Sequence, residues 1–293
     1  MSKTPIEFVF LTFGERTHYH SQLIYSMISL VAHTPLERPY HFTIVTDKPD
    51  FYQWLEGDLF TVVQVEDSTL TEWRGPFDFF WRIKIEAILS VAKKNSDHHC
   101  VYFDTDTIAF DDLSPLYEKL DNGVNHMHVK EFEFASTKGR TGKKMKTHGL
   151  GKSYGEFTLT NQSAMWNAGV VAISARNNPV QTLNSALTAC DAMCDDGMER
   201  KLIEQFSLSL ALQANKIADA EDCIRHYWGN KPQWDNLITE FFTRVFLKGM
   251  SFDDAVALFK LQSHDLPDVI KETKLEKYKN SVAKRYNKLT GKL

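Results

Sequence analysis

The chain has 293 residues, 43% of them hydrophobic and 12% aromatic, so it can bury a large core as one domain or as one domain with an appendage. A formal net charge of −4, with no RNA- or DNA-reading motif, excludes general nucleic-acid binding as a reading. No run approaches the roughly 20 apolar residues of a membrane span, and MSKTPIEFVFLTFGERTHYH lacks a signal-peptide core, so the expected compartment is the cytoplasm.

In chain order, IEFVFLT (6–12) is an apolar run that predicts a buried strand. Leu23, Ile24, Met27, Ile28 and Val31 recur at helical spacing, which predicts a helix over 18–32. YHFTIVT (40–46) and LFTVVQV (59–65) predict two more strands, the first stopped by Asp47, Lys48 and Pro49. FFWRIKIEAILSVAKK (79–94) predicts a helix, and CVYFDTDTIAF (100–110) a fourth strand ending on two carboxylates. This β-α-β-β-α-β order predicts an α/β sheet with helices on its faces. In such sheets ligands bind beyond the carboxyl ends of the strands, where Asp104 and Asp106 fall.

Residues 138–155, KGRTGKKMKTHGLGKSYG, are rich in Gly and Lys without an apolar period and read as a surface loop. The loop lacks the spacing and the Ser/Thr of a phosphate-cradling P-loop, but its six Lys and Arg residues could lie over a polyanion. MWNAGVVAI (165–173) predicts a buried strand, helices follow at about 178–193 and 199–213, and HYWGNKPQW (226–234) reads as a turn. From 235 onward the pattern is helical, giving a catalytic domain over 1–234 and a helical extension over 235–293. Residues 271–293 carry eight Lys/Arg against two Glu. That tail is a solvated helix face or a candidate for peripheral contact with anionic lipid. Cys100, Cys190, Cys194 and Cys223 read as free thiols, because no His or Cys completes a zinc pattern near the Cys190/Cys194 pair.

Asp-x-Asp at a strand end lets two carboxylates reach one hard divalent cation, Mn²⁺ or Mg²⁺, which would neutralise them and could hold a diphosphate. Arg82 and Lys84, on the preceding helix, offer cations to phosphate oxygens.

Taken together these residues resemble the GT-A fold glycosyltransferases, and most of all glycosyltransferase family 8, which includes the glycogenin-like and lipooligosaccharide galactosyltransferase-like enzymes. FFWRIKIEAIL resembles the family's Arg- and Lys-bearing helix, VYFDTDTIAF its YLDxD motif, MWNAGVVAI its FNxG strand and HYWGNKPQW its HxxGxxKPW segment. Between the last two, ERKLIEQFSLSL resembles its DQDxLN segment. The matches run in the family's order over residues 6 to about 234. The resemblance implies a GT-A nucleotide-diphospho-sugar transferase fold, a Rossmann-like mixed sheet flanked by helices. It implies transfer of a hexose, with retention, from a nucleotide-diphosphate donor, UDP-linked by analogy, to a saccharide or glycolipid hydroxyl.

Carried over, Asp104, Asp106 and His226 would hold the metal, and an imidazole ligand favours Mn²⁺ over Mg²⁺. Lys231, Arg82 and Lys84 would offset charge on the departing diphosphate. Asn167 and Gly169 would let the donor sugar approach the strand, with Gln205 near the anomeric carbon and Glu204 on a sugar hydroxyl. Thr12 and Tyr19 would touch the base or ribose. The chain departs from the family in three places. TFGERTHY lacks the acid in the usual register, Glu204 stands where the family has Asp, and KPW is interrupted as KPQW before Trp234. FDTDTI also resembles the nucleophile motif of haloacid-dehalogenase-like phosphatases, which sits on a first strand. A non-catalytic nucleotide-sugar-binding protein with a GT-A shell is the third reading.

Overall fold

A computed structural model of the chain describes residues 3–262 and 266–267. The first half runs β1 (Ile6–Thr12), α1 (Thr17–His33), β2 (Tyr40–Thr46), β3 (Phe60–Gln64), α2 (Asp67–Trp73), α3 (Arg82–Ala92), β4 (His99–Phe103), β5 (Thr107–Ala109), α4 (Ser114–Asp121), β6 (Asn125–Met127) and β7 (Lys130–Glu133). It continues through α5 (Arg140–Gly149), β8 (Ser153–Tyr154), β9 (Phe157–Thr158), β10 (Ala164–Trp166), β11 (Val170–Ile173), α6 (Pro179–Asp195), α7 (Ile203–Gln213), β12 (Ile217–Asp219), β13 (Ile224–His226), α8 (Lys231–Leu247) and α9 (Phe252–Gln262).

Seven strands form one mixed sheet in the order β12-β6-β11-β4-β1-β2-β3. β1 pairs in parallel with β2 and β4, whereas β11 runs antiparallel between β4 and β6. β1 and β4 are apolar and buried almost throughout because both faces of the sheet are covered. The period-2 alternation sorts their side chains. Phe8 and Phe10 join Phe42, Phe103 and the apolar faces of α1, α8 and α9 on one side, with Phe8 stacked on Phe42 at 4.9 Å. Val9, Val45, Cys100 and Tyr102 join α3, α6 and α7 on the other. The chain moves outward from β1 to β2 and β3, then returns to place β4 on the opposite side of β1. The order therefore reverses between β1 and β4, and their carboxyl ends, Thr12 and Phe103, open the crevice of such a switch point.

Four expectations are revised. Residues 138–155 are not an open loop: they hold α5 and the β8–β9 hairpin. α5 does carry a buried face at helical spacing, Gly142, Met145 and Gly149, but two of its three members are glycines, which hide the pattern. Both must be small, since a Cβ on Gly142 would lie 2.9 Å from Phe132 Cε2 and one on Gly149 2.7 Å from Leu159 Cδ1. MWNAGVVAI is two strands, because Asn167 exchanges backbone hydrogen bonds with His128 and Val129 and carries the chain from the β7–β10 ribbon into the main sheet. HYWGNKPQW is only in part a turn: His226 ends β13 and Lys231 starts α8. The boundary expected at 234 thus falls inside α8, which packs with α9 on α1. Tyr25 meets Phe241 at 5.0 Å and Phe259 at 5.4 Å.

All four cysteines are free and buried. Among the described residues no helix is long and apolar enough to cross a membrane. The basic tail lies outside the described residues.

Candidate metal site

The two carboxylates leave the sheet by different routes. Asp104 continues β4, its N–H donating to Gly169 O at 2.9 Å, so it is fixed to the central sheet. Asp106 precedes β5, which pairs antiparallel with β13 so that Thr107 lies opposite His226. That register brings Asp106 Oδ1 within 3.2 Å of His226 Nε2. Donor atoms of Asp104, Asp106 and His226 lie within 4.8 Å of one another, although His226 is over a hundred residues away in sequence.

Each acid also has a lysine. Lys84 Nζ lies 3.0 Å from Asp104 Oδ1 and 3.1 Å from Glu204 Oε1, and Lys231 Nζ lies 2.6 Å from Asp106 Oδ2. Burial on its own lowers the Lys84 ammonium, but the charges of Asp104 and Glu204 outweigh it and hold Lys84 above its ordinary value. Burial likewise works against the Asp106 carboxylate, yet its contacts with His226 and Lys231 hold it well below the usual carboxylate range. Glu204 is raised by its burial, an effect that Lys84 opposes only in part. The Tyr102 hydroxyl donates to Asp104 Oδ1 at 2.7 Å.

A second layer orients His226. The Asn167 Oδ1 accepts the Gly169 N–H at 3.0 Å, so it also accepts from His226 Nδ1 at 2.9 Å. Nε2 is therefore the ring nitrogen that faces Asp106, and with the proton kept on Nδ1 by Asn167 it would offer its lone pair to a metal in place of that contact. Gly169 is required for that placement, because a Cβ there would sit 2.3 Å from His226 Nδ1. Asn167 Nδ2 and Gln205 Nε2 both donate to Glu131, at 3.0 and 3.2 Å, and Gln205 Oε1 accepts the Ala168 N–H at 3.2 Å.

Of the residues singled out from sequence, Asp104, Asp106, His226, Lys84, Lys231, Thr12 and Tyr19 line one cleft of about 430 Å³. Thr12 borders it while bonding inward to Tyr52 OH at 2.7 Å. Glu204, Asn167, Gly169 and Gln205 join through the contacts above. Arg82 is not brought in: its guanidinium folds back over Gly75 to Asp191 at 2.8 Å and Glu86 at 2.7 Å. Trp234 is fully buried and stacks on Tyr227 at 4.4 Å, so it serves the core. Sequence reasoning missed Glu131, Tyr102 and the aromatic wall of Phe13, Phe80 and Trp81. Phe13 and Phe80 meet edge to face at 5.4 Å, and Trp81 stays 55% exposed at the rim. The adjacent FFW aromatics were the available signal for the wall; Glu131, in the short KEFE strand, had none.

The residues fit a divalent cation by their chemistry: two carboxylate oxygens and one imidazole nitrogen, the last held in the ligating tautomer. Three carboxylates (Asp104, Asp106, Glu204) face two ammonium groups (Lys84, Lys231), leaving room for further positive charge. No protein-family model and no curated protein matches this sequence.

Proposed function

We propose that the chain is a metal-dependent glycosyltransferase of GT-A fold that transfers a hexose from a nucleotide-diphosphate sugar, UDP-linked, to an acceptor hydroxyl. One observation carries this reading: Asp104, Asp106 and His226 converge at the carboxyl end of β4, beside the switch point of the sheet, with Lys84 and Lys231 at their backs. Asp104, Asp106 and His226 would hold Mn²⁺, or Mg²⁺ less favourably, and the ion would supply positive charge to diphosphate oxygens as negative charge grows there.

The protein's own groups do the rest. Lys231 borders the cleft half-exposed, in the first turn of α8, where the positive end of the helix adds to its charge. There it would stabilise the leaving diphosphate. The aromatic wall, with Tyr19 and the edge of Thr12, would bound the nucleotide. Asn167, Gly169 and Gln205 lie behind the metal ligands, where the family resemblance would put the sugar ring, and Glu204, held by Lys84, would meet a sugar hydroxyl. Retention stays an inference from the family resemblance. The Asp-x-Asp motif follows β4, not the first strand, so the phosphatase reading gains no support.

The test is Mn²⁺-dependent release of UDP from UDP-hexoses by wild type and Asp106→Ala. Release should fall by at least about a hundredfold in the variant. Equal rates would refute the metal assignment.

A further inference from the structure

Outside the cleft, α5 and the 197–199 turn border an open surface cavity of about 1190 Å³ lined by Lys138, Arg140, Lys143 and Lys144. The one acid on its wall, Glu199, is paired with Lys144 at 2.9 Å. That hydrogen bond, against a desolvation cost, and the nearby charges of Lys144, Arg140 and Lys201 hold Glu199 below its ordinary value, a sign of the positive field in the cavity. Lys138, Arg140 and Lys143 form no ion pair among the described residues.

Two features separate this basic face from a merely solvated one. Arg140 and Lys143 occupy the first turn of α5, which has no acid, and Gly139 supplies no side-chain cap. Cations at that end oppose the helix dipole and cost stability unless an anion joins them. The wall is also built rather than loose: Asp196 Oδ2 accepts from His148 Nε2, Lys152 Nζ and Tyr154 OH at 2.8, 2.7 and 2.7 Å, clamping α5 and its hairpin to the end of α6. Both walls lead into the site already described. β7, which carries Glu131, runs into α5, and the 197–199 turn precedes α7, which carries Glu204 and Gln205. In space, Gly142 of α5 packs on Phe132, the neighbour of Glu131, which links the cavity wall to the Glu131–Asn167–Gln205 cluster.

We propose that this cavity binds the anionic groups of a phosphate- or carboxylate-bearing saccharide and so selects an acidic glycan as acceptor. The proposal rests on the glycosyltransferase reading, but its binding step can be tested without turnover. A fluorescent sulfated hexasaccharide from heparin serves as the probe, and maltohexaose as its neutral counterpart. Wild type should bind the sulfated probe and not maltohexaose. The variant Arg140→Glu/Lys143→Glu/Lys144→Glu should lose about tenfold or more in affinity, and Lys93→Glu/Lys94→Glu, on a distant surface, should lose none. Both variants should keep the wild-type rate of Mn²⁺-dependent UDP-sugar hydrolysis. If the triple variant folds poorly, Arg140→Glu alone is compared with Lys93→Glu in the same way. Equal loss in the α5 and control variants would overturn the proposal. So would binding to phosphatidylglycerol vesicles, or to inorganic phosphate, with none to the sulfated hexasaccharide. Absence of UDP and Mn²⁺ binding with the α5-dependent saccharide binding intact would instead overturn the transferase reading alone.

Discussion

Gly169→Ala is the sharpest probe of the site, because it adds one methyl group and removes no functional group. The new Cβ would lie 2.3 Å from His226 Nδ1, 2.6 Å from His226 Cε1 and 3.0 Å from Asn167 Oδ1. Ordinary contact needs about 3.5 Å, so the imidazole must retreat by about 1 Å. Metal–ligand distances tolerate only about 0.2 Å, so His226 would leave the coordination sphere. The same movement breaks its 2.9 Å bond to Asn167 and with it the tautomer control. Loss of an orienting partner alone costs about ten- to a hundredfold in metal affinity, and losing the ligand should reach the upper end of that range or exceed it. The assay is Mn²⁺ titration by calorimetry or by electron paramagnetic resonance of free Mn²⁺. Far-ultraviolet circular dichroism and a melting curve would check that the fold is kept. A Gly169→Ala variant that binds Mn²⁺ as wild type does would refute the placement of His226 as a ligand.

Two other predictions concern stability. Lys84→Met leaves Asp104 and the buried Glu204 facing each other without their shared cation, and should destabilise the fold by about 3–5 kcal/mol in urea unfolding; a change below about 1 kcal/mol would mean that the trio is solvated. His126 is buried, and its burial, only partly offset by its bond to the Asp219 carbonyl, pushes it from 6.5 down to about 4. Its neutral form is therefore favoured by folding. Stability should be full above about pH 6.5 and decline by up to about 3 kcal/mol as pH falls toward 4. A His126→Leu variant whose stability shows the same pH slope as wild type would refute this.

The parts of the fold that could be read from sequence are those buried on both faces. β1 and β2 have the bounds their runs predict, because aromatic and β-branched residues on both faces fit only a strand covered on both sides. Asp104, Asp106, His226 and Lys231 were legible because ordered short motifs marked them, and the sheet and the β5–β13 ribbon bring them together. Arg82 was misplaced for a physical reason. Its position on α3, two residues before Lys84, gives no hint that an Asp191 on α6 would claim it. α5 was missed because its buried face is mostly glycine, which carries no hydrophobic signal. Glu131 was missed because its partners, Asn167 and Gln205, are distant in sequence and meet it only after β7 pairs with β10.

The split between Asp104 and its two companions has a mechanical consequence. Asp104 belongs to the seven-stranded sheet, whereas Asp106 and His226 ride together on the β5–β13 ribbon, and only Thr105 separates Asp104 from Asp106 along the chain. A cation gripped by all three would act as a rivet through that seam. Its binding energy would then be felt as protection of the ribbon's amides from hydrogen exchange, growing with ion concentration. The ribbon would rank among the first elements to open when the ion is withdrawn, and α8, which begins five residues after His226, would carry Lys231 out of the cleft with it.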